Sequence, residues 1–151
     1  MSTLIRGGTV VSASHASVAD VLIDGEEIVA VGDVGDTGAE VVDATGCFVL
    51  PGLIDNHTHM AMPFGGTRSI DDYDTGTRAA AAGGTTCIVD FVIQQEGGGL
   101  QSSLDEWQER AAGAAHVDYG FHVAITQADE GTFADMAPMV DEGICTFKVF
   151  L

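Results

Sequence analysis

The segment PGLIDNHTH, residues Pro51–His59, carries the strongest indication of fold and function in the sequence. An apolar run enters a strand here, and the strand ends in His57 and His59. Because successive strand side chains point to opposite faces, the two histidines are predicted to share one face. Two neutral imidazoles side by side at the carboxyl end of a strand can hold one metal ion, which indicates metal-assisted hydrolysis. A His-x-His pair alone is a weak signal, because two strand histidines can also be hydrogen-bonded core residues.

The composition is strongly acidic. The chain has 23 aspartates and glutamates against 5 lysines and arginines, a formal net charge of −18. Such a surface repels nucleic acid and anionic membranes, so we expect neither as a partner. No apolar run approaches the roughly 20 residues of a membrane span, which predicts a cytoplasmic protein. The dispersed acids suit a halophile, in whose high-salt cytoplasm ions screen their repulsion; a merely acidic mesophilic protein is the alternative.

The three cysteines, Cys47, Cys87 and Cys145, are odd in number and far apart in the sequence. They show neither C-x-x-C spacing nor the density of a disulfide-rich protein. Because free cysteine is among the residue types most often buried, we expect three buried, reduced thiols.

The single lysine is a second unusual feature. Lys148 lies in the apolar, strand-like run Thr146–Leu151, where burial is expected. Burial lowers the pKa of a lysine side chain and exposes the free amine, which can add carbon dioxide to give a carbamate. The two carbamate oxygens can bridge two cations. The alternative is an ordinary strand lysine that extends its amine to solvent or forms a salt bridge.

The first fifty residues contain short β-branched runs separated by Gly/Asp turns, a pattern typical of a small antiparallel sheet. The predicted strands are Leu4–Arg6, Thr9–Val11, Val18–Ile23, Glu27–Val31, Val41–Val42 and Cys47–Leu50. The dipeptide Pro51-Gly52 then marks a boundary, which divides the chain into residues 1–52 and 53–151.

After this boundary, strands alternate with helices. The predicted strands are Leu53–His59, Thr85–Phe91, Val117–Val123 and Ile144–Leu151, the predicted helices are Asp72–Ala82, Ser103–Ala112 and Asp129–Glu142, and Met60–Ser69 is predicted as a loop. Repeated strand–helix units imply parallel strands with right-handed crossovers, in a barrel or an open sheet. Either fold places its active site at the carboxyl ends of the strands. Because the sequence stops inside the fourth strand, leaving an open apolar edge, we expect a longer protein.

Short motifs occur in a fixed order through the whole chain. They are Pro51–His59 (P-G-x-I-D-x-H-T-H), Met62–Thr67 (P-F-x-G-T), Asp71–Tyr73 with Gly76-Thr77 (D-D-[FY]…G-T), Gly83–Thr86 with Asp90-Phe91 (G-G-T-T…D-F), and Phe147–Phe150 (F-K-V-[FY]). In this order they resemble the dihydropyrimidinase/hydantoinase branch of the amidohydrolase superfamily. The resemblance implies an α/β fold: the first four strands of a (β/α)8 TIM barrel, truncated here, preceded by strands of a small β-sandwich domain.

The same resemblance implies a hydrolase that opens dihydropyrimidine or hydantoin rings. His57 and His59 would ligate one metal, and Lys148, as N6-carboxylysine, would bridge two divalent ions, expected to be Zn²⁺, that activate water. Two further histidines and an aspartate would follow in the missing part, so this chain alone is expected to be inactive. The full-length protein would bind a small cyclic amide and form a homo-oligomer, a tetramer.

The resemblance also suggests roles for residues near the metal site, and it leaves alternative functions open. Met62, Phe64 and Phe150 resemble apolar lid positions near the substrate, or they simply pack. His122 is interpreted as a structural or supporting residue, because the family does not use that position as a ligand. Ala61 stands where dihydroorotase and allantoinase typically carry arginine or asparagine, which disfavours dihydroorotase; allantoinase and a non-catalytic assembly protein on the same fold remain alternatives.

Overall fold

The computed structural model describes residues 1–150, which fold as two units, Met1–Pro51 and a second that begins at Gly52. None of the helices in this described part is long and apolar enough to cross a membrane.

The first unit is a five-stranded mixed sheet. Its strands are β1 (Ser2–Val11), β2 (Ala16–Asp24), β3 (Glu27–Gly32), β4 (Glu40–Asp43) and β5 (Phe48–Val49). Strands β1, β2 and β3 pair antiparallel, as predicted, but β4 and β5 both run parallel to β1. The prediction of a purely antiparallel sheet is therefore wrong, because the chain after β3 crosses back to the other edge of β1 before pairing.

The two strands predicted at Leu4–Arg6 and Thr9–Val11 are one strand. The register between β1 and β2 shifts between Ile5 and Gly8. Gly7 there has a φ of 72° and donates its N–H to Asp20 Oδ1 at 2.9 Å. Positive φ is the conformation that glycine adopts at little cost, so the Gly7-Gly8 pair forms a bulge rather than a turn.

The second unit alternates strands and helices around a four-stranded parallel sheet. Its elements are β6 (Leu53–Thr58), β7 (Pro63–Phe64), β8 (Thr67–Arg68), α1 (Tyr73–Ala82), β9 (Thr85–Ile93), α2 (Leu100–Ala111), β10 (Asp118–Ile125), α3 (Glu130–Asp141) and β11 (Phe147–Val149). The sheet order β6-β9-β10-β11 follows the chain order. Each strand thus lies beside the preceding one, as in a barrel, with no reversal of the kind that open doubly wound sheets contain.

The three predicted helices are confirmed, with ends that local chemistry explains. Asp72 caps α1 through a capping box, in which its carboxylate accepts from the Thr75 N–H at 2.9 Å. Asp129 caps α3 by accepting from the Thr132 N–H at 2.8 Å. Side chains that bind the free N–H groups of the first turn stop a helix from extending backwards. Helix α2 begins at Leu100, three residues before its predicted start, because Gly99 is its N-cap.

The hydrophobic core of this unit lies between the sheet and its helices. Ile88 and Val92 of β9 and Val123 of β10 are fully buried, and they pack in one cluster with Leu104 and Trp107 of α2. These strand residues alternate with the ones that face the other side of the sheet, as the period of a strand requires. One face of the sheet is therefore closed by helices.

Two predicted elements differ from the observed ones. The predicted loop Met60–Ser69 contains a β-hairpin, in which Pro63 pairs with Arg68 and Phe64 with Thr67. Its turn is Gly65-Gly66, with φ of 58° and 80°, the pair of positive values that a two-residue hairpin turn needs. The fourth strand is shorter than predicted, Phe147–Val149, and Leu151 of the predicted strand lies outside the described residues.

The expectation of three buried cysteines is wrong. Cys47 and Cys145 are exposed and Cys87 is half-buried, and all three are free thiols. Cys47 lies in the turn before β5 and Cys145 lies before β11, so both are in connections between elements, which usually run along the surface.

Candidate metal centre near the carboxyl ends of the parallel strands

The two histidines of the opening motif lie next to each other at the end of β6. The strand ends at Thr58, so His57 is its penultimate residue and His59 is the first residue beyond it. Their ring centroids are 5.1 Å apart and the rings are nearly perpendicular. Asp55 lies upstream and its Oδ1 accepts a hydrogen bond from the His57 backbone N–H at 3.2 Å. The structure thus brings together the pair that the strand period predicts.

Phe91 is the centre of the site, although no role was predicted for it beyond its place in a motif. Its ring centroid lies 4.6 Å from that of His57, 5.3 Å from that of His59 and 4.9 Å from that of His122. The Lys148 Nζ lies 4.6 Å from the same centroid. Strands β6, β10 and β11 therefore each bring a side chain to the aromatic ring that β9 provides.

His59 has the electrostatic properties of a metal ligand. Burial lowers the pKa of His59; Asp90 opposes this shift, while His57 and Lys148 add to it. A lowered pKa favours the neutral imidazole, the form that binds metals. The His59 Nδ1 is also buried and has no hydrogen-bond partner among the described residues. A buried polar atom without a partner is costly, so this nitrogen fits a site that a metal ion completes.

Lys148 is half-buried rather than buried as expected. Among residues 1–150, its strand β11 pairs with β10. The Nζ lies 5.3 Å from the centroid of Phe150 in addition to its contact with Phe91. The amine is thus close to two aromatic rings, and Lys148 lines the same cavity as His57.

Two cavities adjoin these residues. One, about 460 Å³, is lined by His57, Phe91, His122 and Lys148 together with Asn56, Thr146, Phe147 and Val149. The other, about 360 Å³, joins His59 to the hairpin residues Met62, Phe64, Thr67, Arg68 and Ser69. Two of the suggested lid residues, Met62 and Phe64, therefore share a cavity with a histidine of the pair. The third, Phe150, is exposed beside Lys148.

His122 has both ring nitrogens engaged in hydrogen bonds. It lies three residues before the end of β10, which continues two residues beyond the predicted strand. Its Nε2 is 3.0 Å from the Asn56 carbonyl oxygen, so this nitrogen donates, and its Nδ1 accepts from the Thr146 hydroxyl. A histidine with no free nitrogen suits a structural role that links β6, β10 and the start of β11.

A carboxylate behind the histidine pair was missed by the sequence reasoning. Asp90 is 0% exposed and lies on the helix side of β9. Its Oδ2 accepts from the Tyr73 hydroxyl at 2.6 Å, and its Oδ1 accepts from the Met60 N–H at 3.2 Å. Burial raises the pKa of Asp90, an effect that the hydrogen bonds from Tyr73, Phe91 and Met60 partly oppose. The D-F motif contained the only sequence signal for it.

Among residues 1–150, no cluster of three or more histidine, cysteine, aspartate or glutamate side chains is placed to hold a metal ion. The candidate centre consists instead of two histidines and a lysine, and the lysine becomes an oxygen donor only after carboxylation.

The chain is similar to known proteins along nearly its whole length. No protein-family profile matches the chain. It is 47% identical to a D-hydantoinase of Streptomyces coelicolor over 99% of its own length and 33% of the relative. It is 50% identical to a dihydropyrimidinase of Arabidopsis thaliana over 98% of its length and 28% of the relative. The crystal structure of dihydropyrimidinase from Brevibacillus agri superposes with a TM-score of 0.96 at 52% identity, covering 99% of this chain and 33% of that one.

The chain spans about one third of the length of the relatives it matches. Over that third, sequence and fold agree along nearly its whole length. The predicted fold class is confirmed: strands of a β-sandwich followed by the first four parallel strands of a TIM barrel. The chain belongs to the D-hydantoinase and dihydropyrimidinase family and corresponds to the N-terminal part of its members.

Proposed function

We propose that the protein to which this chain belongs opens cyclic amides of the dihydropyrimidine or hydantoin type by metal-dependent hydrolysis. The observation that carries the proposal is the grouping of His57, His59 and Lys148 around Phe91. The choice of ring comes from the relatives, which are named D-hydantoinases and dihydropyrimidinases. A site argues function better than a fold does, and here the two agree.

His57 and His59 would hold one divalent ion, and Lys148, carboxylated on its Nζ, would bridge that ion to a second. Zinc suits imidazole nitrogen and carboxylate-like oxygen donors. When bound, the two metals supply Lewis acidity and acidify water. The unpartnered, buried Nδ1 of His59 supports a site completed by such a group.

The residues of the chain prepare this centre in separate ways. Burial lowers the pKa of His59, which favours the neutral imidazole that binds a metal. Phe91 forms an apolar wall that keeps water from one side of the histidines and of Lys148. For carboxylation, the neutral Lys148 amine adds to carbon dioxide, a C–N bond forms and one proton leaves to solvent. The apolar residues Met62, Phe64 and Phe150 would cover a bound substrate.

The remaining metal ligands, two histidines and an aspartate, would come from sequence beyond Leu151. The 151-residue chain by itself would then be inactive. A cytoplasmic location, a halophilic source and assembly into a homotetramer stay predictions.

The proposal is tested on the product of the complete gene. We expect Lys148→Ala and His57→Ala to lower hydrolysis of dihydrouracil and hydantoin by more than about 100-fold and to lower bound zinc, since each removes a ligand. His116→Ala is the matched control, because His116 is an exposed histidine whose ring pairs with Asp74 at 2.7 Å, away from the site. Hydrolysis rates and metal content per subunit are measured for all three variants.

The possible results distinguish the proposed hydrolase from its alternatives. Full activity in Lys148→Ala would refute the bridging role. A wild-type protein that binds no zinc and opens no ring would support the alternative, a non-catalytic assembly protein on the same fold. Preference for allantoin over dihydrouracil and hydantoin would identify an allantoinase. Absence of two histidines and an aspartate after Leu151 in the gene would also remove the enzyme proposal.

A further inference from the structure

A fully buried carboxylate lies directly behind the histidine pair. Asp90 is 0% exposed, and strand pairing places it opposite Thr58, the residue between His57 and His59. Phe91, the next residue on β9, faces the histidines, so Asp90 points to the opposite, helix-covered side. It therefore contacts the histidine strand without entering the site itself.

Donors surround the Asp90 carboxylate on the helix side. The Tyr73 hydroxyl donates to Oδ2 at 2.6 Å, and the Met60 backbone N–H lies 3.2 Å from Oδ1 and 3.3 Å from Oδ2. The Thr58 hydroxyl lies 3.4 Å from Oδ1. Two of these donors flank His59 in the sequence. The carboxylate is thus bonded to the residue before and the residue after a proposed metal ligand.

Asp90 has no cationic partner among the ion pairs of residues 1–150. A buried carboxylate without such a partner is expensive, and an apolar residue at this position would fit the core formed by Ile88 and Val92. The polar residue is therefore not explained by core packing. We attribute its presence to the hydrogen bonds that it accepts from the Met60 backbone N–H beside His59.

The turn that follows His59 is held at every residue. The His59 carbonyl accepts from the Ser69 hydroxyl at 2.9 Å, and Asp90 binds the Met60 N–H. The Ala61 N–H donates to the Asp71 carbonyl at 2.7 Å. Ala61 has a φ of 48°, a left-handed conformation that costs a non-glycine residue free energy. A strained turn persists only where its surroundings fix it, and Asp90 is the buried member of those surroundings.

We propose that Asp90, oriented by Tyr73, is a positioning residue that fixes the backbone after His59 and so aims the His59 imidazole at the metal. This inference rests on the proposed function, because it assigns His59 as a ligand. The Tyr73 hydroxyl fixes the carboxylate from α1, and the carboxylate fixes the Met60 N–H. A ring carried on a fixed backbone loses less freedom when it binds a metal.

The test uses the complete gene product with Asp90→Asn, Tyr73→Phe and the control Thr132→Val. Like Tyr73→Phe, the control removes one buried hydroxyl. Thr132 lies on α3 rather than α1, is 3% exposed, and its hydroxyl accepts from Gln94 Nε2 at 2.8 Å. Zinc affinity is measured by competition with a chromophoric chelator. Exchange of the Met60 amide hydrogen is measured in the metal-free protein, and kcat and KM are measured separately.

We expect Asp90→Asn to weaken zinc binding about 10- to 100-fold, the range typical of groups that orient metal ligands, and Tyr73→Phe to weaken it less. In both variants the Met60 amide exchanges faster, and kcat falls while KM changes little. Thr132→Val leaves all these quantities within about twofold of wild type, because it does not touch the turn.

Zinc affinity within twofold of wild type in both Asp90→Asn and Tyr73→Phe, with only stability reduced, would overturn the inference and leave the proposed function intact. If Asp90→Asn does not fold, Tyr73→Phe decides alone. A wild-type protein that binds no zinc would overturn both proposals together. Normal zinc binding without ring hydrolysis would overturn the proposed substrate only, and the affinity of the variants would still decide the role of Asp90.

Discussion

The two faces of the parallel sheet in the second unit differ sharply. On the helix side, Ile88, Val92 and Val123 are fully buried against α2. On the other side, Phe91 is surrounded by polar side chains, of which His57 is exposed and Lys148 half-buried. Adjacent residues of one strand thus belong to different environments. The helix side therefore stabilises the fold, and the polar side chains of the other face are available for binding and catalysis.

Asp90 is the exception to this division, because it is a charged residue on the stabilising face. It connects the two faces through the backbone of Met60. Substitutions on either face, and at Asp90 itself, therefore test whether the two faces contribute differently to stability.

The largest effect is expected in the core of the helix side. Leu104 is 0% exposed, and Leu104→Ala should lower the free energy of unfolding of the chain by about 2–5 kcal/mol through lost burial and a cavity. The matched control is Leu53→Ala, the same change at a side chain that is 55% exposed. Urea unfolding measures both. Equal losses in the two variants would contradict the division into a stabilising face and an open one.

An intermediate effect is expected at Asp90, and it depends on pH. Burial raises the pKa of Asp90 in the folded chain, so the folded state binds this proton more tightly than the unfolded state, whose pKa is about 3.9. The stability contributed by Asp90 is then full below about pH 3.9 and is lost as pH rises through the folded pKa. The advantage of wild type over Asp90→Asn should shrink from pH 4 to 7, by at most about 1.4 kcal/mol per pH unit.

The control for this pH dependence has the opposite sign. Hydrogen bonds from Thr132 lower the pKa of Asp129, which is exposed at the start of α3. Its contribution is present above the unfolded pKa of about 3.9 and is lost as pH falls through the lower folded pKa, so the advantage of wild type over Asp129→Asn should grow as pH rises from about 2 to 5. Urea unfolding at several pH values gives both trends. If the advantage of wild type changed with pH in the same direction for both variants, burial would not be what raises the pKa of Asp90.

The smallest effect is expected on the open face. Because His57 is exposed, His57→Ala should change the free energy of unfolding of the metal-free chain by less than about 0.5 kcal/mol. The same substitution in the complete gene product is expected to abolish zinc loading. A loss above 1 kcal/mol in urea unfolding without metal would show that the histidine pair is part of the structural core.

Much of this architecture followed from patterns a few residues long. The helix starts at Asp72 and Asp129 depend on a side chain that bonds to a backbone N–H three residues later. The proximity of His57 and His59 depends only on the strand period and their spacing of two residues. Such features are local, so neighbouring residues suffice to predict them.

Other predictions were wrong because the features that they concern depend on distant parts of the chain. Cys145 is exposed in the connection between α3 and β11, and β4 is parallel to β1 because the chain after β3 crosses to the other edge of β1. Lys148 is half-buried although it lies in an apolar run. Burial and strand direction are set by which elements come to lie beside a residue, and local sequence does not contain that information.

Residue patterns were enough to predict the alternation of strands and helices, the histidine pair and the family. The position of Phe91 between that pair and Lys148, and that of Asp90 behind the pair, emerge only from the packed fold. Separation along the chain explains this difference. Asp90 reaches Met60 across 30 residues and Tyr73 across 17, contacts that exist only after the strands and helices have packed.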